Sequence, residues 1–233
     1  MKGRDRILLD LDDTLYACAP AEAAAHAAVV DAVSKSLDLA RVDVDAAWAA
    51  ARRSVKGRLD GRASSHSRLL YLAELVHAVG RPDMLASVRA WERAYWRAFV
   101  GAATVRPRAR AFLETVRRAG AKVAIVSDLT LEVQLLKLET FGVLPLIDAL
   151  VTSEEVPLDK PAEAIFHLGM ARLGTSAEAC IMVGDRDDKD GEGARRLGMP
   201  YFQIEADDDA GLGFDALLRE LDLPANPLRR GLL

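Results

Sequence analysis

The chain has 233 residues, which predicts one or two domains at about 150 residues per domain and is long enough for a full hydrophobic core. Its 31 Lys and Arg against 35 Asp and Glu give a net charge of −4, which argues against a non-specific nucleic-acid binder. Hydrophobic residues make up 51% of the sequence and charged residues 28%, which argues against a disordered chain. The two cysteines, Cys18 and Cys180, are too few for a disulfide framework or a thiolate zinc cage.

The first residues do not fit a signal peptide, because the apolar run at residues 7–9 stops at Asp10. The most apolar long stretch, residues 17–33, contains Glu22 and Asp31 and therefore does not fit a membrane span. We expect a soluble, cytoplasmic protein without nucleic-acid or membrane partners, either a monomer or a homodimer.

Five short apolar runs predict buried β-strands. They cover residues 6–11, 122–127, 147–152, 180–184 and 200–204. Helical patterns that end at a glycine separate the last four strands. These predicted helices cover residues 129–141, 162–173 and 191–197. Because strands and helices alternate, we expect an α/β fold with a parallel, doubly wound sheet and helices on both faces.

The stretch between the first two predicted strands is rich in Ala, Leu and Arg and contains no convincing strand pattern. Helices are predicted there at residues 21–37, 44–55, 65–79 and 83–100. Ser65 and Asp83 are suitable N-cap residues for the last two of these helices. We therefore expect an all-helical domain, residues 18–103, inserted into an α/β core formed by residues 1–17 and 104–233.

The candidate functional residues lie at the carboxyl ends of the predicted strands, where open parallel sheets bind ligands. These ends, and the helix before the fourth strand, supply carboxylates, hydroxyls and one lysine: Asp10, Asp12, Thr14, Ser127, Asp128, Lys160, Asp185, Asp188 and Asp190. Neighbouring carboxylates repel one another by on the order of 4 kcal/mol per pair at about 4 Å and an effective dielectric of about 20. A cluster of Asp10, Asp12 and Asp185 therefore needs cations, and its oxygen ligands favour Mg²⁺. Together with Lys160, such an ion balances the three negative charges.

Four segments form a series of motifs at these strand ends. They are ILLDLDDTLY at residues 7–16, VSD at 126–128, KP at 160–161 and VGDRDDKDGEGA at 183–194. Their residues, order and spacing resemble the four motifs of the haloacid dehalogenase (HAD) superfamily, in which Asp-x-Asp-x-Thr follows the first strand. The helical insertion between the first two motifs matches the cap domain of that family. The resemblance covers about residues 6–205 and implies a Rossmann-like core with an inserted helical cap.

The resemblance implies that Asp10 is a nucleophile, which attacks phosphorus and forms an aspartyl-phosphate intermediate. It implies that Asp12 protonates the leaving oxygen and then accepts a proton from the water that cleaves the intermediate. Mg²⁺ would lie between the carboxylates of Asp10 and Asp185 and the backbone carbonyl of Asp12. Asp190 would hold a metal-bound water or orient the motif lysine, with Asp188 as the alternative for this acid.

The same resemblance assigns phosphate binding to Ser127, which donates a hydrogen bond, and to Lys160, which neutralises charge on the phosphoryl oxygens. Thr14 and Asp128 complete the expected substrate-binding edge. The family more often has asparagine where this chain has Asp128, and we expect this carboxylate to cap the helix that begins near Leu129.

A basic stretch in the predicted cap has two interpretations. It comprises Arg52, Arg53, Lys56, Arg58, Arg62, His66 and Arg68. One interpretation is a solvated helix face. The other is that Arg53, His66 and Arg68 contact the part of the substrate that does not react. The large aromatic residues of the cap are expected to form its core: Trp48, Trp91, Tyr95 and Trp96.

The sequence thus favours a Mg²⁺-dependent phosphomonoester hydrolase acting on a small soluble phosphate ester, such as a sugar phosphate, a nucleotide or a related metabolite. Dehalogenases of the resembled family lack the second aspartate, Asp12. A phosphomutase on the same fold is an alternative, as is a non-catalytic phospho-receiver or binding module. Receiver modules are compact, so the long helical insertion argues against that last alternative.

Overall fold

The computed structural model describes residues 4–223, which fall into two compact units. The sheet unit lies within Met1–Ala17 and Thr104–Leu233, and the helical unit is Cys18–Ala103. Among residues 4–223, no helix combines the length and the apolar composition needed to cross a membrane.

The helical unit is built from amphipathic helices that bury aromatic side chains. Its helices are α1 (Cys18–Leu37), α2 (Arg41–Arg58), α3 (Arg68–Ala78) and α4 (Val88–Ala102). The aromatic residues expected in the core are all buried: Trp48, Trp91, Tyr95 and Trp96. The rings of Trp48 and Tyr95 stack with 5.8 Å between their centroids, which joins α2 to α4.

Both predicted N-caps of the helical unit are wrong. Ser67 caps α3, since its side chain accepts a hydrogen bond from the Leu70 backbone N–H at 3.3 Å. Ser65 precedes the helix in a buried 3₁₀ turn. Asp83 also lies inside a 3₁₀ turn, where its carboxylate accepts hydrogen bonds from Arg81. Short polar side chains often form such local contacts, and these compete with the capping role.

The described part of the sheet unit contains a five-stranded parallel sheet. Its strands are β1 (Arg6–Leu9), β2 (Lys122–Ser127), β3 (Ala149–Thr152), β4 (Cys180–Gly184) and β5 (Tyr201–Gln203), in the order β3-β2-β1-β4-β5. Consecutive strand residues point to opposite faces, and Ile7, Leu8 and Leu9 are all buried, so both faces of the sheet are covered. The predicted α/β fold with a parallel sheet is confirmed.

Helices of the sheet unit connect and cover the strands. They are α5 (Pro107–Arg118), α6 (Leu131–Thr140), α7 (Glu163–Leu173), α8 (Glu192–Arg196) and α9 (Leu212–Leu221). The packing of α7 on the sheet requires a glycine, because a Cβ on Gly169 would come within 2.9 Å of Val126 Cγ2. Gly174 ends α7 as predicted, in the left-handed conformation with a φ of 62°.

Candidate active site

The carboxyl ends of β2, β1 and β4 are neighbours at one edge of the sheet. Ser127 is the last residue of β2, Asp10 directly follows β1, and Asp185 directly follows β4. The Asp10 backbone N–H donates to the Val183 carbonyl at 2.9 Å, which extends the β1–β4 pairing by one residue. The parallel topology therefore brings together residues that are far apart in the sequence.

Three carboxylates at this edge form what we call the acid cluster: Asp10, Asp185 and Asp190. One oxygen from each lies within 4.8 Å of the others. The buried ammonium of Lys160 donates to Asp10 Oδ1 at 2.5 Å and to Asp190 Oδ1 at 2.7 Å. It also donates to the Val126 carbonyl at 3.2 Å, so Lys160 ties the acid cluster to β2.

Burial and mutual repulsion shift the pKa values within the acid cluster. Burial raises the pKa of Asp10 well above its usual value, although the positive charge of Lys160 acts to lower it. The negative charges of Asp190 and Asp185 raise the Asp10 pKa further. Burial also raises the pKa of Asp185 to about 6, with Asp190 and Asp13 contributing. For Lys160, burial acts against the charge, but Asp10 and Asp190 outweigh it and raise the lysine pKa well above normal. With every group ionised, two negative charges remain in excess, and the oxygen ligands fit a hard divalent cation.

The Asp190 carboxyl group reaches the acid cluster because it packs against Gly184, the last residue of β4, which has no side chain. A Cβ on Gly184 would collide with the Asp190 carboxyl group. The Arg186 backbone N–H donates to Asp190 Oδ2 at 3.2 Å and fixes its second oxygen. Asp188, the alternative to Asp190, is exposed and pairs with the Arg186 side chain at 2.6 Å. The structure therefore brings Asp190, rather than Asp188, to Lys160.

Asp12 does not join the acid cluster, although a shared cluster with Asp10 was predicted. A strand continuing through Leu11 would direct both aspartates to the same face. Instead β1 ends at Leu9, and the chain turns at Asp13, whose φ is 64°. The side chains of the two aspartates therefore have different partners.

The partners of the Asp12 carboxylate come mainly from α6. The Lys137 ammonium donates to Asp12 Oδ1 at 2.7 Å and to Oδ2 at 3.0 Å. The Gln134 amide donates to Oδ2 at 3.2 Å, and the Tyr16 hydroxyl donates to Oδ1. Burial by itself raises the pKa of Asp12, but Lys137 and the donated hydrogen bonds outweigh burial and lower the pKa below its usual value.

The sequence prediction missed Tyr16, Gln134 and Lys137 at this site. Gln134 and Lys137 are buried on the same stripe of α6 as Val133 and Leu138. Buried polar groups of this kind need partners, but the sequence offered no signal for them, because the leucines at 131, 135 and 138 indicated a different buried stripe.

Asp128 does not cap the helix that follows it, so this prediction is wrong. The helix begins at Leu131, whose backbone N–H is bound by the Glu154 carboxylate at 2.8 Å. The Asp128 carboxylate accepts hydrogen bonds from the Lys160 backbone N–H at 2.9 Å and from Lys189 Nζ at 2.6 Å. Asp128 thus anchors the loop that carries Lys160, and its assignment to substrate binding stays a prediction.

The two hydroxyl groups predicted to bind substrate differ in their surroundings. Thr14 is fully buried, and its Oγ1 lies 2.9 Å from Asp10 Oδ2 and 3.2 Å from Asp185 Oδ1. Its hydroxyl therefore contacts two members of the acid cluster, and its assignment to substrate binding stays a prediction. Ser127 Oγ accepts a hydrogen bond from the Gln134 amide at 2.7 Å, so its own proton is directed away from that amide.

The helical unit has its own pocket, with a volume of about 500 Å³. Its lining includes aromatic and basic side chains: Trp48, Tyr71, Tyr95, Arg52, Arg53 and Arg68. Two of the three basic residues predicted to contact substrate are therefore here, whereas His66 does not line this pocket. The Arg68 guanidinium lies 5.2 Å from the centroid of the Tyr95 ring and donates to the Tyr95 hydroxyl at 3.2 Å.

Comparisons with known proteins cover most of the chain. A family model described as a haloacid dehalogenase-like hydrolase matches residues 5–198. The chain is 34% identical over 205 residues to a ribulose-1,5-bisphosphate 5-phosphatase from Halopiger xanaduensis, covering 88% of this chain and 86% of the relative. It is 30% identical over 231 residues to a glyceraldehyde 3-phosphate phosphatase from Methanocaldococcus jannaschii, covering 94% and 96%.

Solved structures share the fold at lower identity. A HAD phosphatase from Thermococcus onnurineus matches with a TM-score of 0.73 at 24% identity, covering 97% of this chain and 100% of that one. A 2-haloacid dehalogenase from Pseudomonas syringae pv. Tomato DC3000 matches with a TM-score of 0.71 at 19% identity, covering 85% of each chain. Since a phosphatase and a dehalogenase share this fold, the fold alone does not distinguish their reactions.

Proposed function

Because the chain belongs to the haloacid dehalogenase-like hydrolases, we propose that it is a phosphatase acting on small phosphate monoesters. The observation that carries this proposal is that two neighbouring aspartates have separate partners. Asp10 is bonded to Lys160 within the acid cluster, and Asp12 is bonded to Lys137 outside it. One carboxylate is therefore available as nucleophile and the other for proton transfer. Both relatives described above are phosphatases by name, which supports the same reaction class.

In the first half-reaction, an Asp10 carboxylate oxygen attacks phosphorus, and the bond from phosphorus to the leaving oxygen breaks. Asp12 donates its proton to that oxygen, so a neutral alcohol departs and the phosphoryl group stays on Asp10. A bound phosphate dianion favours the protonated form of Asp12, because negative charge nearby raises a carboxyl pKa. Lys160 and the Ser127 hydroxyl stabilise the charge on the phosphoryl oxygens.

In the second half-reaction, water attacks the phosphorus of the aspartyl-phosphate and gives a proton to the Asp12 carboxylate. The bond between phosphorus and the Asp10 oxygen breaks, and inorganic phosphate leaves. Asp10 returns as a carboxylate and Asp12 again carries a proton, so both groups are restored. The contact from Lys137 favours the ionised form of Asp12 that accepts this proton.

We propose Mg²⁺ as the cofactor, held by the carboxylates of Asp10 and Asp185 and by the backbone carbonyl of Asp12. Asp190 orients Lys160, a role that its 2.7 Å contact with Nζ supports. The oxygen ligands and the excess of two negative charges in the acid cluster both fit a divalent ion. When bound, the ion supplies positive charge that shields the incoming phosphate from the carboxylates.

We propose a small sugar phosphate as the substrate class. The two relatives are named for ribulose-1,5-bisphosphate and glyceraldehyde 3-phosphate, which supports this choice among small phosphate esters. Arg53, His66 and Arg68 are proposed to contact the part of the substrate that does not react. Arg53 and Arg68 have the stronger support, because they line a pocket of the helical unit.

A phosphate-release screen tests the proposed function. The protein is incubated with Mg²⁺ and a panel of sugar phosphates, nucleotides and other phosphorylated metabolites, with Asp10→Asn as the blank. We expect free phosphate from several esters with the wild-type protein and none above background with the variant. An isomerised product without free phosphate would instead identify a phosphomutase. The absence of any turnover across the panel would contradict the phosphatase assignment.

A further inference from the structure

Lys137 is a buried lysine that the reaction proposed above does not use directly. Its side chain is only 2% exposed, and its ammonium donates to both oxygens of the Asp12 carboxylate, at 2.7 and 3.0 Å. A buried ammonium loses its hydration and needs a fixed partner, so this contact constrains both groups. Lys160 is committed to Asp10 and Asp190 and is no substitute for it.

Two further side chains hold the same carboxylate, and we call the set the Asp12 clamp: Tyr16, Gln134 and Lys137. Neighbouring residues hold the members of the clamp in place. The Tyr16 ring packs on Phe141 with 4.9 Å between centroids, and the Gln134 amide donates to Ser127 Oγ at 2.7 Å. The clamp contacts both oxygens of Asp12, so it defines the direction of the carboxylate as well as its place.

We propose that Lys137 is a positioning residue that, through the Asp12 clamp, sets the direction from which Asp12 protonates the leaving oxygen. This inference rests on the proposed phosphatase function. Proton transfer requires the two heavy atoms to lie about 2.6–3.2 Å apart, and a displacement of about 1 Å can reduce a rate about 100-fold. Without the clamp, the partly exposed Asp12 side chain has access to other rotamers.

Two phosphate esters with different leaving groups distinguish a positioning role of Lys137 from a purely structural role. The alkoxide oxygen of glycerol 2-phosphate needs the Asp12 proton as its bond to phosphorus breaks, whereas p-nitrophenolate is a stable anion that departs without one. Loss of positioning therefore slows the alkyl ester selectively. General loss of structure displaces Asp10 and Lys160 too, and slows both esters alike. The quantity to compare is kcat/KM, because it reports the steps up to release of the alcohol or phenolate.

The test compares Lys137→Met with the wild-type protein on both esters in the presence of Mg²⁺. We expect kcat/KM for glycerol 2-phosphate to fall about 10- to 100-fold, because the proton donor is misplaced. The value for p-nitrophenyl phosphate should change by less than about threefold. Lys122→Met replaces an exposed lysine at the start of β2 and is the matched control, which leaves both values unchanged.

Two further variants keep the inference testable if Lys137→Met folds poorly. Tyr16→Phe keeps the ring on Phe141 and removes only the hydroxyl, so it should cause a smaller loss with the same preference for the alkyl ester. In an Asp12→Asn background, adding Lys137→Met should cause no further loss on glycerol 2-phosphate, because Lys137 acts through Asp12.

Equal losses on both esters in Lys137→Met and Tyr16→Phe would overturn the inference, as would an additive loss in the double variant. These outcomes leave the phosphatase function intact, since the wild-type protein still turns over both esters. A wild-type protein that hydrolyses neither ester would contradict the phosphatase function itself, and the inference with it.

Discussion

The acid cluster and the Asp12 clamp surround two aspartates separated by one residue, yet they shift the two carboxyl pKa values in opposite directions. In the acid cluster, burial and two neighbouring carboxylates raise the pKa of Asp10 against the pull of Lys160. In the clamp, burial also acts to raise the carboxyl pKa, but Lys137 and the donated hydrogen bonds outweigh burial and lower the pKa of Asp12. A single loop can thus support two chemical tasks when each carboxylate meets a different set of partners.

Asp10 in the acid cluster and Asp12 in the clamp also differ in what their proposed roles require. Asp10 lies in a cluster with excess negative charge, so its reactivity as a carboxylate depends on added positive charge. Asp12 already has a lysine on both of its oxygens, so its proposed role in proton transfer depends on the direction in which the carboxyl group points. Changes to the acid cluster should therefore act on every phosphate ester, whereas changes to the clamp should depend on the leaving group.

The largest effect is expected from Asp10→Asn. The amide cannot form the aspartyl-phosphate, so turnover should fall on the order of 10⁴-fold or more for every ester. Phosphate release checks the rate, and thermal unfolding checks that the fold persists. An active Asp10→Asn protein with unchanged substrate preference would remove Asp10 as the nucleophile.

Asp12→Asn should reduce kcat for an alkyl phosphate by about 10² to 10⁴-fold, the usual contribution of a positioned general acid and base. Both half-reactions lose their proton carrier, since the amide neither donates a proton to the alcohol nor accepts one from water. Steady-state phosphate release from glycerol 2-phosphate measures the effect. An unchanged kcat for this ester would contradict the role of Asp12.

Removal of divalent ions with EDTA should lower activity by about 100-fold or more, because the acid cluster then repels the phosphate dianion. Addition of excess Mg²⁺ should restore the rate, and isothermal titration of Mg²⁺ into the chelated protein should show binding that Asp185→Asn weakens. Full activity in the chelator, with no heat of binding, would rule out a metal at the acid cluster.

A smaller effect is expected from Gly184→Ala. The new methyl group would push the Asp190 carboxyl group away from Lys160, so activity should fall about 10- to 100-fold on both classes of ester. Gly101→Ala is the control, because that helical glycine in α4 has open space around it. The control should keep full activity and unfold with a free energy up to about 1 kcal/mol higher. Equal activity in both variants would mean that the position of Asp190 does not matter.

The acid cluster could largely be predicted from the sequence because it follows from topology. Residues after parallel strands meet at one edge, so Asp10, Asp185 and Lys160 could be grouped without knowing any side-chain contact. The strand end itself was harder to place. β1 stops at Leu9, two residues before the predicted end, and the Asp12 carboxylate contacts side chains of α6 instead of the predicted cluster.

The clamp could not be predicted because it depends on the rotation and packing of α6. A lysine and a glutamine in an amphipathic helix are usually solvent-exposed, and only the packed structure shows that Lys137 and Gln134 lie on the buried stripe. The helices α5 and α9 were also absent from the prediction. Pro107 at the first position of α5 is a recognised start signal that the sequence did offer.

The central claim is that Asp10 takes up the phosphoryl group while Asp12 moves the proton, and pre-steady-state kinetics of Asp12→Asn tests it most directly. With p-nitrophenyl phosphate, the variant should release one equivalent of nitrophenolate in a burst and then react slowly, because hydrolysis of the intermediate lacks its base. Mass spectrometry after acid quench should find the phosphoryl group on the peptide that contains Asp10. Steady release without a burst, and with Asp10 unmodified, would contradict the account.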